Sequence, residues 1–314
     1  MTVAGMTGLH PAPPRGGYPL PQPYQPPQPL HPQKPMPILN RLVDVYEKRG
    51  FEIVVGLNAS HFDNFPAAPF TWLMRDGRSF TNGLGITIGE VYFLECLLAD
   101  FAPERVFVIG NSFGWSTLAL ALLAPQAKVV AIDAGLEENA LEGIALTNRI
   151  ASEEGLNVTV VEATAPQDVA AVIAEHLDGE VDFALIDGMH TNQQIVLDFN
   201  AVRAHAASDC AYLFHDVFEF SLQQGFAKNQ RESRLSGGIL RGTTSGMGLL
   251  YDASRTPDIA RTVTTFTTRE PALAVVRQGA WNRRHRYIAK YRKSLAKRRN
   301  TVRGWLGKAP LPLP

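Results

Sequence analysis

The chain has 314 residues, 45% of them hydrophobic, and 30 basic residues balance 30 acidic ones. This size suffices for one sizeable core, so we expect a single globular domain with appended tails. An apolar run of about 18 residues, which a membrane-spanning helix requires, is missing from the sequence. Cys96 and Cys210 are far apart and lack metal-ligand spacing, so we expect buried thiols and a cytoplasmic location.

The N-terminal segment differs from the rest in composition. Residues 1–37 hold twelve of the 22 prolines and show neither helical nor alternating apolar periodicity. Such a segment buries too little apolar surface to offset the cost of ordering it, which predicts a disordered or polyproline II extension. Binding to a proline-recognising module is an alternative. The segment also lacks the continuous apolar core of a secretory signal.

Residues 38–84 are predicted to form a cap region, with a helix at 37–49, a strand at 51–55 and a turn-rich stretch to 82 that covers a substrate pocket. Helices and strands then alternate. The helices are predicted at 88–101, 116–123, 136–154, 166–176 and 192–206, and the strands at 106–109, 128–132, 158–162, 182–186 and 211–214. Two later segments, 247–251 and 272–277, are predicted as an antiparallel edge pair. This order predicts an α/β fold with a Rossmann-like, doubly wound and mostly parallel sheet.

A glycine-containing turn follows the first strand of this series. Gly110 and Gly114 allow close approach of the backbone to a ligand at the carboxyl edge of the sheet, and Asp133 ends the next strand, where a carboxylate can accept hydrogen bonds from two ribose hydroxyls. The glycines are spaced GxxxG, whereas a dinucleotide fingerprint reads GxGxxG. The spacing therefore disfavours a pyrophosphate-binding loop.

This segment resembles the class I S-adenosylmethionine-dependent methyltransferases, in particular the metal-dependent catechol-type and sugar O-methyltransferases. The family pattern E-x-G-x-x-x-G-[YW]-S matches Gly110, Gly114, Trp115 and Ser116, but Val108 stands in place of its Glu. The resemblance covers about residues 85–252 and implies a cofactor-binding domain at 85–280. It implies that S-adenosyl-L-methionine contacts Gly110, Asn111, Ser112, Gly114, Ser116, Asp133, Ala163 and Thr164.

Two further strand ends carry polar side chains that suit catalysis. Asp187 and His190 follow the fourth strand, and His215 and Asp216 follow the fifth. Adjacent parallel strands lie about 5 Å apart, so the two ends can converge on one ion or one substrate hydroxyl. As an alternative, the aspartates only cap loops and the histidines are structural.

The resemblance implies roles for these residues. Asp187 and Asp216 correspond to the two metal aspartates of the catechol-type enzymes, so Mg²⁺ or another divalent cation is expected there. His190 replaces the catalytic lysine and is a usable base at neutral pH. The third ligand, an Asn, falls on Val217, so either His215 takes its place or the ion is weak or missing. Glu90, Asp198 and Glu219 are reserve carboxylates, and residues 220–246 are expected to form a lid.

The resemblance therefore implies O-methylation of a small-molecule or sugar hydroxyl. A catalytically idle binding module stays open because Val108 replaces the Glu. A nucleic-acid methyltransferase is suggested by the basic tail alone. The sequence Asp187-Gly-Met-His190 replaces the Asn- or Asp-Pro-Pro-aromatic run of base-modifying enzymes and counts against that alternative.

Charge is segregated along the chain. Twelve Lys or Arg and no Asp or Glu follow Pro271, which leaves 18 basic and 30 acidic residues before it. The C-terminal tail, residues 281–314, is predicted to form a basic amphipathic helix. Such a helix binds anionic lipid or nucleic acid, or packs against the acidic body of its own or a neighbouring subunit in a homo-oligomer.

Overall fold

The computed structural model describes residues 37–61 and 65–312. The proline-rich extension at 1–36 lies outside the described residues, so its predicted disorder stays a prediction. Nine α-helices and ten strands are assigned within the described ranges. The helices are α1 (Ile38–Glu47), α2 (Ile88–Asp100), α3 (Trp115–Leu123), α4 (Ala140–Glu154), α5 (Val169–His176), α6 (Gln194–Arg203), α7 (Gln223–Ser233), α8 (Ile259–Phe266) and α9 (Glu270–Trp305).

The strands form two sheets. The smaller is antiparallel, in the order β1 (Glu52–Val54), β2 (Trp72–Arg75) and β3 (Arg78–Ser79). The larger contains β4 (Arg105–Ile109), β5 (Lys128–Asp133), β6 (Val158–Glu162), β7 (Val181–Ile186), β8 (Ala206–Phe214), β9 (Ser236–Ile239) and β10 (Gly248–Tyr251), in the order β6-β5-β4-β7-β8-β10-β9. β4 to β8 are parallel, and β10 pairs antiparallel with β8 and β9. The predicted doubly wound sheet with an antiparallel edge pair is confirmed.

The central strand β4 shows why the sheet is buried on both faces. Successive side chains of a strand point to opposite faces. Val106 and Val108 belong to one apolar cluster, whereas Phe107 and Ile109 belong to the other. A strand covered on both faces needs a continuous apolar sequence, and β4 has one after its first residue.

The prediction of a strand at residues 272–277, in the edge pair of the sheet, is wrong. Residues 272–277 lie in α9, and β9 takes the edge position beside β10. The short apolar run AVV resembles a strand, but Pro271 lies in the first turn of a long helix, where its missing N–H costs nothing. The segment 220–246, predicted as a lid, contains α7 and β9, and its role as a lid stays a prediction.

The N-terminal region packs against the large sheet. Leu42 and Tyr46 on the buried face of α1 belong to the same apolar cluster as Val106 and Val108. The turn-rich stretch predicted to reach residue 82 contains β2 and β3. Residues 38–84 therefore share one core with the sheet.

The C-terminal helix α9 begins at Glu270, earlier than the predicted tail at 281. It is 36 residues long, which corresponds to roughly 54 Å at the usual rise per residue. Among the residues that the structure describes, no helix is both long and apolar enough to span a membrane.

Candidate active site

The functional side chains predicted from the sequence meet at the carboxyl edge of the large sheet. Backbone hydrogen bonds continue past the strand ends: Gly110 N–H donates to Ile132 O (2.9 Å), and Asp187 N–H to Ile109 O (2.8 Å). His215 N–H donates to the last residue of β7 in the same way (3.1 Å). The loops after β4, β7 and β8 therefore start side by side, which brings their side chains together.

Gly110 and Gly114 are required by close packing within the protein. Both have a positive φ, +94° and +82°, that other residues rarely adopt. A Cβ at Gly110 would lie 1.9 Å from Asp187 O, and one at Gly114 would lie 2.2 Å from Thr147 Oγ1. The sequence prediction assigned these glycines to ligand approach, whereas the contacts observed are with neighbouring chain segments.

Asp133 holds the loop after β4 through backbone amides. Its Oδ2 accepts hydrogen bonds from the N–H groups of Asn111 (3.0 Å) and Ser112 (2.7 Å), and its Oδ1 accepts one from Gly135 N–H (3.0 Å). A carboxylate offers about four acceptor positions, so roughly one remains for a ligand. The prediction that Asp133 accepts from two ribose hydroxyls therefore exceeds its remaining capacity while these bonds persist.

Asn111 has a structural role in this geometry. Its side-chain amide donates to Ser112 O (2.8 Å) and Thr147 Oγ1 (3.1 Å), and its carbonyl oxygen accepts from Thr117 Oγ1 (3.0 Å). Because the side chain is buried and its polar atoms bind protein groups, it is directed away from a ligand. The backbone of Asn111 is also engaged, since its N–H donates to Asp133 and its carbonyl oxygen accepts from Gly114 N–H, so the cofactor role of Asn111 stays a prediction.

The remaining predicted cofactor residues flank this loop. Ser116 is buried in the first turn of α3. After β6, Ala163 N–H donates to Asp133 O (2.9 Å), which places Ala163 beside the end of β5. Thr164 is exposed, and its N–H donates to Asp168 Oδ2 (2.7 Å). The structure therefore brings Ala163 and Thr164 to the same edge as Asp133.

The second cluster contains two carboxylates and two imidazoles. His190 Nε2 lies 3.3 Å from Asp187 Oδ1 and 3.4 Å from Asp216 Oδ2. His215 Nδ1 lies 3.2 Å from Asp187 Oδ1 and 3.1 Å from Asp216 Oδ1. Ligand atoms of Asp187, His190 and Asp216 all lie within 4.8 Å of one another. The convergence of these strand ends is therefore confirmed.

The backbone at Asp216 is unusual in a way that matches a functional site. Its φ is +56°, the left-handed region, which is uncommon for a residue other than glycine. The residue is 7% exposed, and the described residues give its Oδ1 no well-aligned hydrogen bond, although His215 Nδ1 lies 3.1 Å away. A buried carboxylate oxygen without a well-aligned hydrogen bond is costly, and a bound cation would remove that cost.

Glu90 is a partner of this cluster that the sequence indicated only as a reserve carboxylate. Its Oε2 lies 3.4 Å from His215 Nε2 and accepts from Thr87 N–H (2.9 Å), while its Oε1 accepts from Ser245 N–H (2.8 Å). Thr87 and Glu90 form a capping box at the start of α2, a motif visible in the sequence. The same carboxylate thus caps a helix and orients His215.

Burial and neighbouring charges shift the pKa values of these groups. Burial alone would lower the pKa of His215, but the Asp187 and Glu90 carboxylates raise it well above its ordinary value. Burial would raise the pKa of Glu90, but the charge of His215 lowers it to about 2. For Asp187, His215 and His190 outweigh the effect of burial and lower the pKa. The cluster therefore favours ionised carboxylates.

The two histidines differ in access to solvent. The side chain of His215 is 2% exposed and both its ring nitrogens face carboxylates, whereas that of His190 is 29% exposed. His190 stacks on Phe220, with ring centroids 4.2 Å apart and planes 10° apart. Phe220 was predicted only as the start of a lid, and its contact with His190 lacked a sequence signal. His190 is thus the imidazole that a substrate can reach.

Other predictions about the site have clear outcomes. Val108 and Val217 are buried among apolar side chains, so neither offers a polar atom to a ligand. Glu219 is exposed, and Asp198 on α6 has one oxygen without a hydrogen-bond partner in the described part of the chain. Burial raises the pKa of Asp198 to about 6.

Comparisons with known proteins agree with this arrangement. Residues 107–217 match the model of a family described as a methyltransferase domain. This segment runs from β4 to the residue after Asp216, so it contains the loop at Gly110, Asp133, and the cluster of Asp187 and His190. The similarity to class I methyltransferases inferred from the sequence is confirmed for this segment. A search of curated proteins finds no match to the chain.

Solved structures resemble parts of the chain at low identity. An O-methyltransferase from Bacillus cereus, in complex with SAH, has 15% identity and a TM-score of 0.45, covering 70% of this chain and 94% of its own. The SAH-bound methyltransferase PaMTH1 from Podospora anserina has 15% identity and a TM-score of 0.42, covering 52% and 77%. The TDP-rhamnose 3'-O-methyltransferase CalS11 has 15% identity and a TM-score of 0.41, covering 52% and 76%. The fold assignment rests on the strand order of this chain itself.

Proposed function

We propose that this methyltransferase domain transfers a methyl group from S-adenosyl-L-methionine to a hydroxyl of a small molecule or sugar, with assistance from a divalent cation. The observation that carries the proposal is the cluster of Asp187, His190 and Asp216 at the edge of the sheet, beside the loop that Asp133 holds. A hydroxyl needs a base and a charged partner to become a nucleophile, and this cluster offers both.

The residues around Asp133 suit a nucleoside. Glu162 pairs with Asp133 across the sheet and is exposed, so it offers carboxylate oxygens for hydroxyls that Asp133 does not accept. Leu136 and Leu141 follow Asp133 and are 81% and 55% exposed. Carboxylates beside exposed apolar side chains match a ligand that has ribose hydroxyls and a flat ring. S-adenosyl-L-methionine supplies an electrophilic methyl group when it is bound.

The donor set also suits a divalent cation. Asp187 and Asp216 offer carboxylate oxygens, and the buried Oδ1 of Asp216 has no well-aligned hydrogen bond, with His215 Nδ1 3.1 Å away. The Glu90 carboxylate faces His215 Nε2 and favours a proton there, so a cation that displaces the Nδ1 proton would meet the Nδ1 lone pair beside the two aspartates. Val217 is apolar where the related enzymes have an Asn, so His215 is the third ligand that we propose. A cation held here would lower the pKa of an acceptor hydroxyl.

We assign the proton transfer to His190. Its Nε2 faces Asp187 and Asp216, and its side chain is the more exposed of the two imidazoles. Burial lowers the pKa of His190, but the Asp187 and Asp216 carboxylates raise it by more, so the net shift is upward and the neutral imidazole, the form that can accept a proton, is a stronger base. With the methyl donor bound, His190 would take the proton of the acceptor hydroxyl, and the oxygen would then be free to accept the methyl group as its bond to sulfur breaks. The stack with Phe220 fixes the imidazole plane during this step.

The test is transfer of a labelled methyl group to a panel of catechols and nucleotide sugars, with and without a chelator. Asp187→Asn and Asp216→Asn should abolish both turnover and metal binding. His190→Ala should keep the metal and lose roughly two to four orders of magnitude in rate, the usual contribution of a general base. Asp209→Asn, at an exposed position of β8, is the control and should behave as wild type.

Full activity in chelator would contradict the role of the cation. A fully active His190→Ala would contradict the role of His190 as the base. Loss of metal binding in His190→Ala would show instead that this imidazole is a ligand, in agreement with its short distances to both aspartates.

A further inference from the structure

Helix α9 stands apart from the rest of the fold. Among the described residues it makes no extensive packing contact with another helix or strand. An ion pair between Glu270 and Arg241 (3.5 Å) lies at its start. The segment after the helix folds back on one side, where Asn300 and Leu311 exchange two hydrogen bonds and Ala296 is buried. The other sides of the helix are open.

An apolar stripe runs along one open side. It consists of Trp281, Ile288, Tyr291, Leu295 and Val302, whose spacings of seven, three, four and seven residues place them on one face of a helix. They are 38% to 66% exposed. Arg284 and Arg298 lie between them on the same face, but monomeric proteins rarely leave this many large apolar side chains aligned in water. The stripe therefore indicates a surface that binds a partner.

The opposite side of α9 is strongly basic. Arg283, Arg286, Lys290, Lys293 and Lys297 lie there, and all are exposed. The whole helix has eleven basic residues and one acidic residue, Glu270. The chain before Pro271 has 30 acidic and 18 basic residues, so the helix and the body have opposite charge. An anionic partner would attract the helix and repel the body.

We propose that α9 lies on an anionic lipid bilayer, with the apolar stripe in the interface and the basic side chains on the lipid phosphates. A long helix with a basic polar face and Trp or Leu on the other face is typical of interfacial binding. The helix is not apolar enough to cross the bilayer. The acidic body is held away from the surface by its own charge.

Two other partners fit the helix less well. In a coiled coil of two copies, Arg284 and Arg298 would lie on the same seam as the apolar stripe. Each arginine would then lie close to an arginine of the other copy, and this repulsion is destabilising. At a bilayer the same arginines extend to the headgroups. Nucleic acid would satisfy the charge, but Ile288, Leu295 and Val302 cannot stack on bases. Burial in the lipid interface stabilises aliphatic side chains more than contact with nucleic acid does.

The experiment measures co-sedimentation of the full chain with vesicles of phosphatidylcholine, with or without phosphatidylglycerol, at two salt concentrations. Wild type should bind only the anionic vesicles, and more weakly at high salt. Each basic residue near an anionic surface contributes about fivefold to binding, so the triple substitution Lys290→Gln, Lys293→Gln and Lys297→Gln should weaken it by roughly a hundredfold. The same three residues changed to Arg keep the charge and should bind as wild type.

A second pair of variants tests the apolar stripe. Ile288→Gln with Leu295→Gln should weaken vesicle binding at least tenfold, whereas Val275→Gln, exposed on the basic side, should leave it unchanged. Brominated lipid should quench the fluorescence of Trp281 in wild type. Circular dichroism checks that each variant retains its helix.

Three results would overturn the proposal. The first is that the Ile288/Leu295 variant binds anionic vesicles as tightly as wild type does and that brominated lipid does not quench Trp281, which would show that charge alone attracts the helix. The second is binding of duplex DNA, but not of anionic vesicles, at the same salt concentration. The third is a dimer by analytical ultracentrifugation that the Ile288/Leu295 variant dissociates.

Discussion

Removal of the Asp133 carboxylate should loosen the loop after β4 and weaken the cofactor site at the same time. Asp133 accepts three backbone hydrogen bonds of 2.7 to 3.0 Å, from Asn111, Ser112 and Gly135. A hydrogen bond to a charged group contributes about 1.5 to 3 kcal/mol, so three such bonds set an upper bound of roughly 4.5 to 9 kcal/mol. Asp133 is half-buried, and the freed amides regain water. We therefore expect Asp133→Ala to lower the free energy of unfolding by about 2 to 4 kcal/mol.

Two further variants separate the contributions. Asp133→Asn keeps one acceptor oxygen for the amides of Asn111 and Ser112, so the loss should be about 1 to 2 kcal/mol. Asp168→Asn affects one amide bond, to Thr164, at an exposed position and should cost less than about 1 kcal/mol. Urea denaturation monitored by circular dichroism measures all three variants. An unfolding midpoint for Asp133→Ala equal to that of wild type would show that the carboxylate does not stabilise the loop after β4.

Three other substitutions test the buried groups and the glycine turn. Glu90→Gln should lower the free energy of unfolding by about 3 kcal/mol because it breaks a buried ion pair with His215. Its control, Glu95→Gln, is exposed on the same helix and should change that free energy by less than about 0.5 kcal/mol. Burial raises the pKa of Asp198 from 3.8 to about 6, so ionisation of this group destabilises the fold as pH rises through that value. In denaturation curves recorded above pH 6, Asp198→Asn should be more stable than wild type by about 3 kcal/mol. Below pH 3.8, where the carboxyl is protonated in both the folded and the unfolded chain, the two proteins should be equally stable. Gly110→Ala should lower the free energy of unfolding by more than about 3 kcal/mol, because the added Cβ would clash with Asp187 O. Gly155 also has a positive φ but faces open space, so Gly155→Ala should lower it by only about 1 kcal/mol in the same assay.

The sequence predicted the sheet edge well because its signals are local. Asp187 and Asp216 each follow an apolar strand, and neighbouring parallel strands necessarily end at one edge. The close approach of His190 and His215 to these carboxylates follows from the same geometry. The order of the elements also made the doubly wound sheet predictable.

What the sequence could not show depends on contacts between distant segments. The capping box of Thr87 and Glu90 is local, but its contact with His215 joins residues 125 positions apart. The amide bonds to Asp133 need Ser112 in the left-handed region, at φ +46°. At the sheet edge, the glycine-rich β9 looks like a loop in sequence, and only its pairing with β10 makes it a strand. Tertiary context decides such segments.

Isothermal titration of S-adenosyl-L-methionine into the 314-residue chain and its Asp133→Ala variant tests most directly whether this domain binds the methyl donor. We expect saturable binding of one molecule per chain, with at least tenfold weaker binding by the variant because the ribose site and its loop are both disturbed. Circular dichroism at the titration temperature confirms that the variant is folded. Heat of dilution alone with folded wild-type protein would show that this domain does not bind S-adenosyl-L-methionine.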